Sequence, residues 1–336
     1  MKTAELFQKR EEEMLSAYAF PSSKTKGRVK PTESCPYRTE FQRDRDRIIH
    51  CKSFRRLMHK TQVFFAPEDE QFRTRMTHTL EVTQIARSIA RALRLNEDLT
   101  EAIAMGHDLG HTPFGHQGEE AMRTCYSPDF AHYKQSLRVV DFLEHDGEGL
   151  NLTYEVRDGI VNHTGKNLAC TLEGVVVKYA DRIAYINHDL DDAFFAGILS
   201  NDCLPKDLLD VFGQTYSDRV DAMVGAVIEA SMDKGAISMT AEVGEAMLEM
   251  RQFLMDNVYH NSPAKTEERR ASELLCRLFE HFEQNPQEMP PFYYSYCEKE
   301  GVRRMVCDYI AGMTDRYAID TYRRLFIPQV WKGKKL

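Results

Sequence analysis

The stretch that decides the fold reads Gly106-His107-Asp108-Leu109-Gly110-His111-Thr112-Pro113-Phe114-Gly115-His116. Its adjacent His107 and Asp108 can both bind one metal ion, because divalent transition metals, Mg²⁺ and Mn²⁺ accept neutral imidazole and ionised carboxylate as ligands. A histidine beside an aspartate is a weak signal by itself. Its meaning depends on the residues around it.

Helical periodicity surrounds this stretch. From Thr79 to Leu95, apolar residues recur at three- and four-residue intervals, which predicts an amphipathic helix that ends near Asn96. Asn96 resembles an N-cap, and the helix that follows it leads straight to His107. A third helix is predicted over residues 172–195, where the length of the pattern decides against a strand. The chain is therefore expected to be all-α, with loops over 20–36 and 284–292, where prolines accumulate.

Composition narrows the class of protein. The chain has 336 residues, 42% of them hydrophobic, so it can bury a substantial core. Its formal net charge of −8 argues against a protein coated by nucleic acid. The eight cysteines form no C-x-x-C pair, which favours reduced thiols over a zinc knuckle or a redox dithiol. Because there is no apolar leader and no run long enough to span a bilayer, we expect a cytoplasmic protein without a membrane partner.

Two residues outside the quoted stretch are candidates to complete a metal site. His78 begins the first predicted helix, and Asp181 lies in the middle of the apolar 172–195 helix. A carboxylate in that position must be paired, hydrogen-bonded or bound to a metal, because burying it alone is costly. The structural alternatives are that His78 caps its helix and that Asp181 pairs with Lys178 or Arg182. The candidate metal ligands are His78, His107, Asp108 and Asp181.

The order His, His-Asp, Asp on successive predicted helices resembles the HD superfamily of metal-dependent phosphohydrolases. Two longer segments make the resemblance more specific. Residues 43–64, which begin Arg43-Asp44-Arg45-Asp46, and residues 312–318, Gly-Met-Thr-Asp-Arg-Tyr-Ala, resemble signatures of the bacterial deoxyguanosine triphosphate triphosphohydrolases. The similarity runs from about Arg38 to Tyr322, and it extends more distantly to the animal SAM-and-HD-domain dNTP hydrolase.

The resemblance implies an all-α fold, in which an HD-domain helical core carries additional C-terminal helices. It implies an N-terminal segment and loop over 1–37 and a metal-dependent phosphohydrolase core over 38–200. The helical region over 201–336 is expected to pack on that core and complete the nucleotide site. It also implies a homo-oligomer, either a hexamer or a tetramer.

The family's reaction splits a dNTP with water into a 2′-deoxynucleoside and inorganic triphosphate. The resemblance therefore implies a dGTP or dNTP substrate, a second dNTP as an allosteric activator, and single-stranded DNA as a further partner to be tested. Two alternatives stay open. One is another HD phosphohydrolase that acts on nucleoside monophosphates, cyclic dinucleotides or an alarmone, and the other is a non-catalytic nucleotide-sensing or DNA-binding protein. No motif fixes the base preference.

A triphosphate requires positive charge at the site. Residues 38–60 hold eight Lys and Arg against three acids, and we expect this segment to supply the field, the alternative being a solvated basic face or a nucleic-acid patch. Arg75 lies about one helical turn before His78, so it is the best candidate phosphate ligand. Arg182 is expected to reach phosphate oxygens as well.

Sugar recognition is expected on the Asp181 helix. Tyr185 and Asp189 follow Asp181 at i+4 and i+8 and so share its face. The resemblance implies that Tyr185 packs against the deoxyribose where a 2′-hydroxyl would clash, with ordinary core packing as the alternative. It also implies that Asp189 and Gln62 hydrogen-bond the 3′-hydroxyl.

The leaving O5′ needs a proton, and His116 is the candidate general acid. Glu119 lies one helical turn on, where it would orient His116 and raise its pKa, with Glu120 as the alternative partner. His111 would contact the phosphates or position water. Two imidazoles and two carboxylates suit Mg or Mn, which we expect, while Fe, Co, Ni and a second ion bound by His111 or His116 stay open.

Overall fold

The protein is described by a computed structural model over residues 3–62, 72–259 and 265–328. Within these ranges it forms seventeen α-helices, and the only β-pairings are two isolated bridges, Arg28–Thr153 and Thr61–Thr74. The all-α prediction is confirmed. The helices are α1 (Thr3–Met14), α2 (Glu40–Ile49), α3 (Lys52–Arg56), α4 (Arg75–Ala92), α5 (Glu97–Gly106), α6 (Gly115–Cys125), α7 (His132–Arg138), α8 (Tyr154–Asn162), α9 (Leu172–Phe195), α10 (Lys206–Phe212), α11 (Tyr216–Ser231), α12 (Ala241–Leu254), α13 (Lys265–Gln284), α14 (Pro291–Ser295), α15 (Cys297–Glu300), α16 (Val302–Ala311) and α17 (Asp315–Phe326).

The three helices predicted around the metal ligands are all present. α9 has the predicted bounds, whereas α4 begins at Arg75, four residues before the predicted start. Its capping box explains the earlier start, because the hydroxyl of Thr74 accepts from the backbone N–H of Thr77 at 3.4 Å. Asn96 caps α5 as predicted, and its side-chain oxygen accepts from the N–H of Leu99 at 3.2 Å.

The two predicted loops have different outcomes. Residues 20–36 contain a single turn of 3₁₀ helix, Ser22–Lys24, and otherwise follow an irregular path. The segment 284–292 is partly helical, because a 3₁₀ turn covers Pro286–Glu288 and α14 begins at Pro291. Proline is compatible with a first helical turn, where its missing N–H would have no partner in any case. Residues 63 and 64, at the end of the 43–64 signature, lie outside the described residues.

Two hydrophobic cores organise the helices. The first joins α2, α4, α5, α8 and α9 with α10, α11 and α12. The second is built by α6 together with α13, α16 and α17. Each core therefore combines helices from both sides of residue 200, and the domain boundaries drawn from the sequence stay a prediction. No helix in the part of the chain that the structure describes has the length and apolarity to cross a membrane.

A buried glutamate links the two helices that lead to the metal ligands. Glu173, in the first turn of α9, is fully buried, and its Oε1 accepts from the backbone N–H groups of Phe20 at 2.9 Å and Asn96 at 3.0 Å. Because Asn96 caps α5, the carboxyl group ties the start of α9 to the start of α5. Burial raises the pKa of Glu173 to about 7.

The E173Q substitution is expected to remove a pH-dependent part of the stability. A carboxyl group with a raised folded-state pKa stabilises the fold below its unfolded pKa of 4.5, and this stabilisation is lost as the pH rises through about 7. The free energy of unfolding of E173Q relative to the wild type should therefore increase by up to about 3 kcal/mol between pH 4.5 and pH 8, measured by urea denaturation. The exposed Glu242, replaced by Gln, is the matched control. A pH-independent difference for E173Q would contradict the prediction.

Candidate metal centre and active site

The four candidate metal ligands lie together where α4, the C-terminal end of α5 and α9 meet. Nε2 of His78 is 3.2 Å from Oδ1 of Asp181 and 4.0 Å from Oδ2 of Asp108. Nε2 of His107 is 3.6 Å from Oδ1 of Asp108 and 3.8 Å from Oδ1 of Asp181. Donor atoms that each lie about 2.0–2.2 Å from one ion are separated by about 3–4 Å. One divalent ion therefore fits among His78, His107 and Asp108, whose donor atoms lie within 4.8 Å of one another, and Asp181 lies against both imidazoles.

The tautomer of His107 also suits a metal ligand. Its ring is fully buried, and Nδ1 lies 2.6 Å from the backbone carbonyl of Ala104, which can only accept a hydrogen bond. Nδ1 therefore carries the proton and Nε2 presents a lone pair. That Nε2 has no hydrogen-bond partner among the described residues, as expected for an atom that binds a metal.

Both carboxylates are held in the ionised form. Burial raises the pKa of Asp108, but the nearby His107 and Arg75 outweigh it, so the pKa lies well below its usual range. Burial likewise raises the pKa of Asp181, but its contacts with His78 and His107 outweigh that effect, so this pKa also lies well below its usual range. Two ionised carboxylates in one buried cluster form a strong site for a divalent cation.

The structural alternatives for His78 and Asp181 do not hold. Thr74, not His78, is the N-cap of α4. Nζ of Lys178 bonds the backbone carbonyls of residues 165 and 167 at 2.8 and 2.7 Å, turned to a different part of the chain. Asp181 is paired with His78 instead.

A cavity of about 660 Å³ opens beside the ligands. It brings together most of the residues that the sequence singled out for substrate and catalysis, although Arg182 and Glu119 do not line it. Their roles, like those of the others, stay predictions. The singled-out residues that do line the cavity are Gln62, Arg75, His78, Asp108, His111, His116, Asp181, Tyr185 and Asp189.

Arg75 lines the cavity and also forms hydrogen bonds with other residues of the cavity wall. Its Nη1 donates to Oδ2 of Asp108 at 2.9 Å, and its other nitrogens reach the backbone carbonyls of Thr61 and Gln62, each at 3.3 Å. The guanidinium therefore neutralises Asp108, a candidate metal ligand, and positions Gln62. Oε1 of Gln62 is buried without a hydrogen-bond partner among the described residues, so it remains available to a ligand.

The prediction that residues 38–60 supply the positive charge at the substrate site is wrong. None of the eight Lys and Arg side chains in 38–60 lines this cavity, because several pair with nearby carboxylates and Lys60 is buried against backbone carbonyls. The cations that line it are Arg75, Arg123 and Arg251. Sequence reasoning missed Arg123 on α6 and Arg251 on α12, since no motif marks either of them.

The expected pairing of His116 with Glu119 also differs from the structure. Nδ1 of His132 lies 3.0 Å from Oε2 of Glu119, and Nη2 of Arg123 lies 2.6 Å from Oε1. His116 instead lies beside His111, with ring centroids 6.2 Å apart. Desolvation by the surrounding protein and the charge of Arg75 lower the pKa of His116 to about 4, opposite to the expected direction.

A chain of hydrogen bonds continues from Glu119 to the core. Nε2 of His132 is 3.3 Å from Nε2 of His163, whose Nδ1 is 2.7 Å from the carbonyl of Ile160. Because that carbonyl only accepts, Nδ1 of His163 carries a proton and its Nε2 accepts from His132. With Glu119 at its other nitrogen, His132 bridges a carboxylate and a second imidazole.

Sequence reasoning missed His132, His163 and His188. Seven of the chain's twelve histidines meet in this region, linked by ring contacts with centroids 4.3–6.2 Å apart. The accumulation of histidines between 78 and 188 was the available signal. The seven are His78, His107, His111, His116, His132, His163 and His188.

The C-terminal signature supports the cavity wall without lining it. Oδ2 of Asp315 accepts from the backbone N–H of Thr61 at 2.9 Å, and Oδ1 accepts from that of Phe114 at 3.0 Å. Thr61 precedes Gln62, and Phe114, in the left-handed region with φ 63°, begins the turn into the helix of His116. Asp315 therefore holds both segments in place.

Two parts of the chain match known protein families. Residues 75–186 match the HD domain, and residues 237–324 match the phosphohydrolase-associated domain. The first range contains all four candidate metal ligands. The expected membership in the HD phosphohydrolases is confirmed, and with it the expectation of a hydrolase that uses a divalent metal.

Relatives match over nearly the full length. A protein of Caldanaerobacter subterraneus subsp. tengcongensis is 53% identical over 98% of both chains, and one of Desulfatibacillum aliphaticivorans is 47% identical over 98% of this chain and 99% of its own. Both are named deoxyguanosinetriphosphate triphosphohydrolase-like proteins. A phosphohydrolase from Bacteroides thetaiotaomicron is similar in structure, with a TM-score of 0.53 at 16% identity over 83% of this chain and 67% of that one, which shows the fold alone.

Replacing Asp181 with Asn is expected to weaken divalent-metal binding, because the amide keeps the shape of the side chain but loses its charge. The loss should exceed the roughly 10–100-fold that changes outside the ligand shell cost. Competition titration of Mn²⁺ against a fluorescent chelator, without nucleotide, measures it. The exposed Asp221, replaced by Asn, is the control, and equal affinity of D181N and wild type would remove Asp181 from the ligand set.

Proposed function

This chain belongs to the deoxyguanosinetriphosphate triphosphohydrolase-like family of HD-domain phosphohydrolases, and we propose that it hydrolyses dGTP and other dNTPs to a deoxynucleoside and inorganic triphosphate. The observation that carries the proposal is the composition of the 660 Å³ cavity. One cavity joins a metal site, three arginines and the side chains expected to read a deoxyribose. A hydrolase of simpler phosphate esters needs the first of these features but not the last.

The face of α9 supports recognition of the sugar. Asp181, Tyr185 and Asp189 all line the cavity and, at i, i+4 and i+8, span about 12 Å along one side of the helix. Tyr185 and Asp189 thus continue the wall that begins at the metal site. Gln62 joins them in lining the cavity, and its unpartnered Oε1 suits a hydroxyl donor such as the 3′-hydroxyl.

The arginines support binding of the phosphates. Arg75, Arg123 and Arg251 reach the cavity from α4, α6 and α12, and guanidinium groups bind phosphate oxygens in a bidentate geometry. Arg251 comes from the helices that follow residue 200, so the C-terminal half contributes directly to the proposed substrate site. Arg182, expected from the sequence to bind phosphate, does not line the cavity and is left out of this proposal.

His78, His107, Asp108 and Asp181 would hold the divalent ion, Mg or Mn in our proposal, which supplies a Lewis acid and an activated water. The oxygen of water bonds to the α-phosphorus and releases a proton to solvent, the bond from phosphorus to O5′ breaks, and O5′ takes a proton from the protein, which solvent then replaces. We assign that proton to His116. The lowered pKa of His116 favours the neutral ring in the free protein, and we expect the negative charge of the bound nucleotide to raise that pKa. His132, held between Glu119 and His163, is the second candidate donor.

Regulation and assembly rest on the family resemblance alone. We propose a homo-oligomer, either a hexamer or a tetramer, and activation by a second dNTP. Single-stranded DNA is a further candidate partner, which a gel-shift at physiological salt would test.

A product assay tests the proposed reaction. Each of the four dNTPs, alone and in pairs with Mg²⁺ or Mn²⁺, should yield deoxynucleoside and inorganic triphosphate in equal amounts. Activity that requires a pair would identify the second dNTP as an activator. Release of orthophosphate or of a deoxynucleoside monophosphate would contradict the proposal.

H116A should lower kcat by about 10²–10⁴-fold with metal binding retained, and activity that survives this substitution would transfer the acid role to His132.

The Y185A substitution is expected to weaken discrimination against ribonucleotides, because it removes the ring that would clash with a 2′-hydroxyl. The ratio of kcat/KM for dGTP to that for GTP should fall by about 10-fold or more. Tyr179, on the same helix but outside the cavity lining, provides the control as Y179A. An unchanged ratio in a folded Y185A protein would favour simple core packing for this tyrosine.

A further inference from the structure

A fully buried histidine, His188, joins one metal ligand to a carboxylate outside the ligand set. Nδ1 of His188 lies 3.1 Å from Nδ1 of His78, and Nε2 of His188 contacts Oε2 of Glu81. The other nitrogen of His78 faces Asp181, at 3.2 Å. His188 therefore bonds the side of the His78 ring that points away from the metal site.

The carboxylate at the outer end is itself held in place. Nε of Arg73 donates to Oε2 of Glu81 at 3.3 Å, and the hydroxyl of Tyr216 donates to the same atom at 3.4 Å. Arg73 also bonds Asp192 at 2.8 Å, which anchors the cluster to the end of α9. Glu81 is thus surrounded by donors, and in its ion-pair contact with Nε2 of His188 a carboxylate oxygen can act only as the acceptor.

Hydrogen-bond accounting fixes the proton on each ring. Because the Glu81 carboxylate accepts, Nε2 of His188 carries a proton and its Nδ1 has a lone pair. That lone pair accepts from Nδ1 of His78, which leaves the lone pair of His78 on Nε2, directed at the metal site. A metal-binding imidazole needs this tautomer, and outer partners of this kind orient metal ligands.

We propose that His188 is a positioning residue that fixes the tautomer and ring orientation of His78, with Glu81 as the anchoring carboxylate. The proposal rests on the metal centre of the proposed function and adds residues to it that bind neither metal nor substrate. Glu81 lies three residues after His78 on α4, and His188 lies seven after Asp181 on α9. The two helices that carry metal ligands therefore also carry the relay between them.

The two histidine ligands are oriented by different means. His107 donates to a backbone carbonyl, which no substitution of Ala104 removes. The orientation of His78 depends on the side chains of His188 and Glu81, so substitutions of these two residues can change it. This difference makes the proposal testable at His188 without changing a ligand.

H188L and H188N form the central comparison. Leucine removes the acceptor, whereas the Oδ1 of asparagine lies close to the position of Nδ1 and can still accept from His78. We expect the dissociation constant for Mn²⁺ to rise by about 10–100-fold in H188L and to return most of the way in H188N. Competition titration of Mn²⁺ alone against a fluorescent chelator measures both. Circular dichroism of the metal-free proteins confirms folding.

T83V is the control, because Thr83 is buried on α4, the helix of His78 and Glu81, and its hydroxyl donates to the backbone carbonyl of Thr79 at 2.7 Å. E81L provides a second route if H188L does not fold, since Glu81 is half-buried; it should also weaken Mn²⁺ binding. Unchanged affinity in folded H188L or E81L would overturn the proposal. Equal weakening in H188L and H188N would do so too, because it would indicate packing rather than tautomer control. Because the Mn²⁺ titration uses no nucleotide, its result does not depend on whether the product assay supports the proposed reaction.

Discussion

Two ionised carboxylates placed side by side, the buried Asp108 and the partly exposed Asp181, are the constraint on which the rest of this structure depends. Oδ1 of Asp108 and Oδ1 of Asp181 lie 3.6 and 3.8 Å from the same nitrogen of His107. Like charges this close in a protein interior are costly unless cations, hydrogen bonds or a metal compensate them. α4 supplies that compensation through Arg75 and His78. The charge balance of the site therefore depends on the packing of α4 against α5 and α9.

The features that the sequence predicted correctly depend on local periodicity. The bounds of α9 and the cap at Asn96 follow from spacing within one helix, which a linear pattern records. The candidate metal ligands, which stay a prediction, could be brought together for a related reason, since a carboxylate in the middle of an apolar helix indicates a compensating partner. Asp181 could therefore be linked to His78 before any distance was known.

The features that the sequence did not predict depend on how distant helices pack. Spacing placed Glu119 one turn from His116, but in the folded chain His132, at the start of α7, reaches Glu119 instead. Arg251 reaches the cavity only because α12 folds back onto the first core. The prediction for the basic residues of 38–60 failed because nearby carboxylates pair with several of them, and a count of charges along the sequence does not reveal such pairs.

Asp315 has a consequence for how the molecule unfolds. Asp315 belongs to α17, which packs in the second hydrophobic core. Its carboxylate nevertheless accepts hydrogen bonds from two segments that form the wall of the cavity beside the first hydrophobic core. Fraying of α17 would therefore release the backbone around Thr61 and Phe114 and loosen a wall that no residue of α17 lines. We therefore expect opening at the start of α17 and loosening of the cavity wall to occur together in hydrogen exchange.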